Sequence, residues 1–181
     1  VTGVQTCALP ISIDEVETED TRPFRILEPE NVQPYVNALP CFDVKVAAGA
    51  FSPEQWIEDC QWIEPPEHIA IRKGYFVAQV IGESMNQRIP NGSWCLFKAN
   101  SAGSREGEIV LVQHRDIQDP AYAGSFTIKV YTSEKVATEE GWQHQRIVLQ
   151  PRSNQPEFAP LYLDRSTAPD LSVLGEFVTT L

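Results

Sequence analysis

Ser84 is the residue in this sequence whose type and setting could do chemistry. It lies in "GESMNQRIPNGSWCLF", residues 82–97, between a glycine turn and a Pro-Asn-Gly turn, in an otherwise apolar and strand-like region. Serine is common in turns for ordinary backbone reasons, which is one explanation of its position. The other explanation is a nucleophile that is exposed on a bend. A serine hydroxyl is a weak nucleophile until a base removes its proton, so this explanation requires a base elsewhere in the chain.

The histidines are the usual candidates for that base. His68, His114 and His144 are far apart in the chain, and none lies in a motif of catalytic type. His114 follows a predicted strand in "LVQHRD", and His144 lies in the polar stretch "GWQHQR". We expect both to be surface or turn residues.

Lys129, in "FTIKVY", is the other candidate. In a strand, Thr127, Lys129 and Tyr131 share one face, and a lysine in mid-strand usually points to solvent. A lysine flanked by Ile, Val and aromatic residues can instead be desolvated. Burial disfavours the ammonium and lowers the pKa of a lysine, so that a neutral amine is available to take the serine proton. This arrangement is the Ser-Lys variant of the catalytic triad.

Short β-strands must position these residues. Apolar, β-branched and aromatic segments bounded by Gly, Pro, Asn or Ser predict strands. They lie within 74–82, 93–99, 107–115, 125–135, 145–151 and 173–181, and a further strand begins at "CFDV", from residue 41. Their spacing favours a mainly β domain of curled antiparallel sheets rather than βαβ units.

One short helix is expected between the first strand and the others. In "SPEQWIEDCQWIEPPE", residues 52–67, Ser52 is a candidate N-cap, and Pro and Glu follow in the first turn. Trp56, Ile57 and Cys60 lie near one helical face, and Pro65 and Pro66 would end the helix.

The domain organisation is predicted from shifts in composition. Residues 1–11, "VTGVQTCALPI", resemble the translation of a sequencing-adapter oligonucleotide, and they lack the basic and apolar regions of a secretory signal. Residues 12–36 are expected to form an acidic linker or mobile tail, because 13–30 hold seven acidic and two basic residues with little apolar periodicity. Residues 37–181 would form the folded domain. The adapter resemblance predicts that the true start of the gene is missing.

Composition argues against several classes of function. The net charge of −11 argues against nucleic-acid binding by this chain alone, since phosphate contacts need clustered Lys and Arg. No apolar run approaches the ~18 residues of a membrane span. The four cysteines form no CxxC pair and the histidines have no metal-ligand spacing, so we expect no metal, no cofactor and free thiols in a reducing cytoplasm. A P-loop, GxGxxG, GxSxG and a helix-turn-helix pattern are also absent from the sequence.

Four segments in order resemble the LexA-like, S24-type serine peptidases, a family that includes the SOS repressor LexA, UmuD-type proteins and phage repressors. They are "YFVAQVIGESMNQRIPNGSWCLF", "GEIVLVQHRD", "FTIKVYTSEK" and "IVLQPRSNQPEFAPLYL", and the resemblance covers about residues 38–181. The family has Gly-Asp-Ser-Met, Gly-Asp-Ile-Val and Thr-Val-Lys at these places. This chain departs from that pattern with Glu83 for Asp, with Ile128 before the lysine, and with an insertion, "RDIQDPAYAG", at 115–124.

The resemblance implies a role for each site residue. Ser84 would be the nucleophile and Lys129 the general base. The backbone N–H groups of Ser84 and Met85 would hold the oxyanion. The Met85 side chain would pack inward, and Glu83 would be structural because a dyad needs no third acidic group.

The resemblance also implies a substrate. Self-cleaving members of the family cut an Ala-Gly or Cys-Gly bond on a mobile segment before the serine, and Ala48-Gly49 in "KVAAGAF" matches that bond. Small residues let a segment enter a narrow cleft, and an extended segment can add to a strand edge. The alternative is that these residues form an ordinary strand-to-helix connection.

Three functions follow as hypotheses. The first is a cytoplasmic peptidase that cleaves its own N-terminal segment and so controls an upstream domain acting on DNA. Family resemblance would add a RecA-like co-protease, and a homodimer formed through "VLGEFVTTL", which is equally suited to be an ordinary sheet strand. The second is a catalytically idle module for dimerisation or docking. The third, a membrane signal peptidase, shares the dyad but needs a membrane anchor.

Overall fold

A computed structural model describes residues 22–42, 60–99, 103–114, 117, 126–138, 141–164 and 166–181, with the backbone alone at 135–138 and 141–145. The adapter-like residues 1–11, the Ala48-Gly49 bond and nearly all of the insertion at 115–124 lie outside these ranges. The fold is therefore that of the remaining chain, which includes both Ser84 and Lys129.

Ten strands form one sheet in the described part of the chain. They are β1 Arg25–Ile26, β2 Leu39–Phe42, β3 Gln61–Glu64, β4 Tyr75–Gln79, β5 Trp94–Lys98, β6 Ile109–Gln113, β7 Phe126–Thr138, β8 Gly141–Gln150, β9 Leu161–Asp164 and β10 Ser172–Thr180. Their order across the sheet is β1-β3-β2-β4-β5-β10-β6-β7-β8-β9. Every pairing is antiparallel except that of β2 with β4. The prediction of a mainly β, antiparallel domain is confirmed.

The predicted helix is wrong where its residues are described. Gln61–Glu64 form strand β3, which pairs with β2 on one side and β1 on the other. Ile63 is fully buried beside Leu39, and this two-sided pairing outweighs the local capping pattern. In the described ranges the helical elements are two 3-10 turns, Pro29–Asn31 and Ala168–Asp170. The first part of the predicted helix, residues 52–59, lies outside them.

Part of the segment expected to be a linker belongs to the sheet. Arg25 and Ile26 pair with Glu64 and Ile63, and the Phe24 ring meets the Trp94 ring edge-on at 4.9 Å. The described sheet therefore begins before residue 37, where the folded domain was expected to start.

A core on one side of the sheet holds the turn that contains the candidate nucleophile. Phe76 on β4 stacks on Phe97 of β5, with ring centroids 5.4 Å apart, and Met85 packs in the same cluster. Gly175 on β10 allows this packing, because a Cβ there would lie 2.8 Å from the Phe76 ring. None of the described segments is a helix with the length and apolar character needed to cross a membrane.

Candidate active site

The connection between β4 and β5 presents Ser84. Gly82 begins the turn at φ 111°, a left-handed conformation that suits glycine, and its N–H donates to Asn91 Oδ1 over 2.9 Å. Met85 and Ile89, buried at 1% and 0% exposure, anchor the turn in the core. The Ser84 side chain thus sits on a turn that is fixed from below by apolar packing.

Strand β7 brings Lys129 to this turn. The Lys129 Nζ lies 2.8 Å from Ser84 Oγ, within hydrogen-bonding distance. Lys129 is only 8% exposed, and Thr127 on the same strand face is 3% exposed. The common expectation for a mid-strand lysine, a solvated side chain, does not apply here, since this strand face is covered.

In the described part of the chain, three oxygens lie within hydrogen-bonding distance of the Lys129 amine. Besides Ser84 Oγ, they are Thr127 Oγ1 at 2.6 Å and the Ile128 carbonyl oxygen at 3.1 Å. We did not predict a role for Thr127. Its sequence position carried a usable indication, because a hydroxyl two residues before the lysine lies on the same face of a strand.

The backbone around Ser84 offers hydrogen-bond donors. Among the described residues, no group accepts a hydrogen bond from the N–H of Ser84 or of Met85. The same holds for the N–H of Glu83, which we did not predict as a donor. Uncommitted N–H groups beside a nucleophile are what an oxyanion hole requires. The Glu83 carboxylate itself accepts a hydrogen bond from Asn86 Nδ2 at 3.0 Å.

The histidines contribute little to this site. We expected His114 to be a surface or turn residue, but its side chain is buried, with 1% exposure. Its Nε2 lies 3.0 Å from the Thr167 carbonyl oxygen, so the buried ring tethers the end of β6 to the loop before β10. His68 is exposed, and the side chain of His144 lies outside the description.

The described ranges contain no thiol or metal-binding cluster that would indicate another chemistry. Cys41, Cys60 and Cys95 are not joined by disulfides. Burial raises the pKa of the Cys95 thiol to about 12, which makes it a poor nucleophile. No group of three or more His, Cys, Asp or Glu side chains suited to a metal ion occurs among the described residues.

Comparison with known proteins identifies one family. The family model described as Peptidase S24-like matches residues 40–178, a span that contains β3 to β9 entirely and both Ser84 and Lys129. A comparison with curated proteins finds no match.

Proposed function

The chain belongs to the S24-like peptidase family, and from that premise we propose that it is a serine endopeptidase with Ser84 as nucleophile and Lys129 as general base. The observation that carries the proposal is the 2.8 Å contact between Lys129 Nζ and Ser84 Oγ at a covered position. A separation above about 6 Å would have argued against a dyad, since proton transfer needs hydrogen-bond reach.

The oxygens around the amine suit its neutral form. A neutral amine has two N–H donors and one lone pair. In the proposed neutral form, the Ile128 carbonyl and the Thr127 hydroxyl accept N–H bonds from the amine, and its lone pair accepts the Ser84 O–H across the 2.8 Å contact. Burial favours this uncharged state over the ammonium.

The proposed reaction then follows by proton balance. Lys129 takes the Ser84 proton as Oγ attacks the carbonyl carbon of a peptide bond, and the resulting oxyanion is held by the N–H groups of Ser84 and Met85. The Lys129 ammonium returns its proton to the leaving amine, and the peptide bond breaks to leave an ester on Ser84. Water, deprotonated by the same amine, hydrolyses the ester and restores the serine.

The proposed substrate is the chain's own N-terminal segment, cut at Ala48-Gly49. Strand β2 ends at Phe42, beside Ala78 of β4 and only a few residues before this bond. Strand β4 leads directly into the Ser84 turn. The continuation of β2 therefore starts from a strand adjacent to the site, which favours an intramolecular cut. Such a cut would release an upstream part of the protein, which we propose acts on DNA.

Variants of the two dyad residues test this function. Incubation of the chain at alkaline pH, followed by intact mass measurement, should show two fragments for the wild type. Ser84→Ala and Lys129→Ala should remain uncut, with unchanged circular dichroism. Lys98→Ala is the matched control, since Lys98 is an exposed strand lysine, and it should be cut like the wild type.

A serine-directed fluorophosphonate probe separates the alternatives. If the wild type is uncut but labels at Ser84 in a Lys129-dependent manner, the dyad is active and the substrate is another peptide. If the folded wild type is neither cut nor labelled, the domain is a binding module that does not use this chemistry.

A further inference from the structure

The segment that follows β8 lies against the nucleophile turn. The Arg152 N–H donates to the Ser84 carbonyl over 2.9 Å, and the Gln87 N–H donates to the Arg152 carbonyl over 3.0 Å. The C=O and N–H of one trans peptide point in opposite directions. The bond from Arg152 therefore also orients the Met85 N–H, one of the two proposed oxyanion donors, away from the 152 segment.

Asn86 and Asn154 add two further hydrogen bonds between the Ser84 turn and the segment after β8. Asn86 Nδ2 donates to Asn154 Oδ1 over 2.7 Å, and the Asn154 N–H donates to Asn86 Oδ1 over 3.0 Å. The second hydrogen of Asn86 Nδ2 serves Glu83 Oε2. Asn86 thus uses its amide oxygen and both amide hydrogens, which fixes its orientation. We call the pair Asn86 and Asn154 the asparagine clasp.

The clasp lies close to the base along the same hairpin. Val130 of β7 pairs with Gln150 of β8, where the ladder ends. Lys129 is the residue next to Val130, and Arg152 is two residues beyond Gln150. The β7–β8 hairpin therefore carries the Lys129 amine, and the segment that follows it is hydrogen-bonded to the turn that carries Ser84.

We propose that Asn86 and Asn154 are positioning residues that hold the Ser84 hydroxyl and the Met85 N–H in their reactive orientation. This inference rests on the proposed function of Ser84. Neither asparagine is hydrogen-bonded to Ser84 Oγ or Lys129 Nζ, so we expect both to act through the backbone of the turn. The competing explanation is an ordinary pair of surface hydrogen bonds that contributes to stability alone.

Alanine variants separate these explanations. Asn154→Ala removes the bond to its Oδ1 and should slow fluorophosphonate labelling of Ser84 by about five- to tenfold, the factor expected from one net hydrogen bond. Asn86→Ala removes that bond and two others, to Glu83 Oε2 and the Asn154 N–H, and should slow labelling at least as much. The double variant should be no slower than Asn86→Ala, because Asn86→Ala already removes the bond that the Asn154 side chain accepts. The matched control is Asn37→Ala. Asn37 also bonds through its amide oxygen and nitrogen, but to Gln33 and Asn31, and should label at the wild-type rate.

A polarity swap supplies the rescue. In Asn86→Asp the new carboxylate faces that of Glu83, and labelling should slow. Adding Glu83→Gln provides an amide donor, while Asn154 can rotate its amide to donate as well. The Glu83→Gln, Asn86→Asp double variant should therefore recover to within about twofold of the wild-type rate, since all polar groups are again paired.

Amide hydrogen exchange, followed by NMR, tests the clasp without catalysis. Asn154→Ala should speed exchange at the N–H groups of Gln87 and Arg152, and leave that of Val77 unchanged. Unchanged labelling in folded clasp variants, or unchanged exchange at both amides, would overturn the inference. Loss of rate without rescue by the swap would also count against it. If Ser84 of the folded wild type does not react with the fluorophosphonate, the proposed function is refuted. The amide exchange rates of Gln87 and Arg152 then decide by themselves whether the asparagine clasp holds the turn.

Discussion

Thr127→Val tests whether the oxygens around Lys129 set its reactivity. Valine has nearly the shape of threonine, so the change removes Oγ1, 2.6 Å from Lys129 Nζ, and keeps the volume of a side chain that is 3% exposed. The N–H of the buried amine that Thr127 Oγ1 accepts then loses that acceptor. An unsatisfied buried donor costs about 1–3 kcal/mol. At about 1.4 kcal/mol for each factor of ten, the Ser84 reaction should slow by about 5- to 150-fold if the whole cost falls on the productive geometry.

The assay is the rate of self-cleavage, or of fluorophosphonate labelling, measured across pH with the folded fraction followed by circular dichroism. Thr127→Ser keeps the hydroxyl and is the matched control, which should stay within a few-fold of the wild type. Hydrogen bonds from a charged donor are about twice as strong as neutral ones, so losing the acceptor penalises the ammonium more than the amine. The reaction rate of Thr127→Val should therefore begin to rise with pH at a lower pH than that of the wild type. A folded Thr127→Val that reacts at the wild-type rate would refute the orienting role of Thr127, and an equal loss in Thr127→Ser would show that the hydroxyl is not the cause.

Three further predictions concern the base, the cut bond and a buried thiol. If neutral Lys129 is the base, the cleavage rate should rise with pH as the ammonium loses its proton, and a rate that falls between about pH 7 and 9.5 in the folded protein would indicate another base. Cleavage should yield an N-terminal piece ending at Ala48. Gly49→Glu should block this cleavage, because it places bulk and a charge beside the nucleophile. Fragment masses that correspond to another bond would show that the proposed cleavage site is wrong. Because burial raises the pKa of Cys95 to about 12, iodoacetamide at about pH 8 should leave this thiol unmodified in the native chain and alkylate it in urea, as peptide mass mapping can show; rapid native alkylation would contradict its burial.

The sequence by itself determined most of the strands and the identity of the candidate dyad. The segments that became β4, β5, β6, β7, β8 and β10 combine β-branched and aromatic residues with turn residues at their ends, and these local preferences agree with the fold. Ser84 and Lys129 were identified by the order of four motifs rather than by spacing alone. Local pattern alone favoured a solvent-facing Lys129, because alternation along a strand shows which side chains share a face and not which face is covered.

Tertiary structure decided the features that depend on pairing between distant parts of the chain. Gln61–Glu64 became a strand because β2 and β1 pair with it, although its local pattern favoured a helix. His114 is buried, and its Nε2 lies 3.0 Å from the carbonyl oxygen of Thr167, 53 positions along the chain, a contact that no local signal shows. The contact of Asn86 with Asn154 joins residues 68 positions apart. A single sequence records the hydrogen-bonding capacity of each side chain, whereas the chain's path through space decides which partner lies within about 3 Å of it.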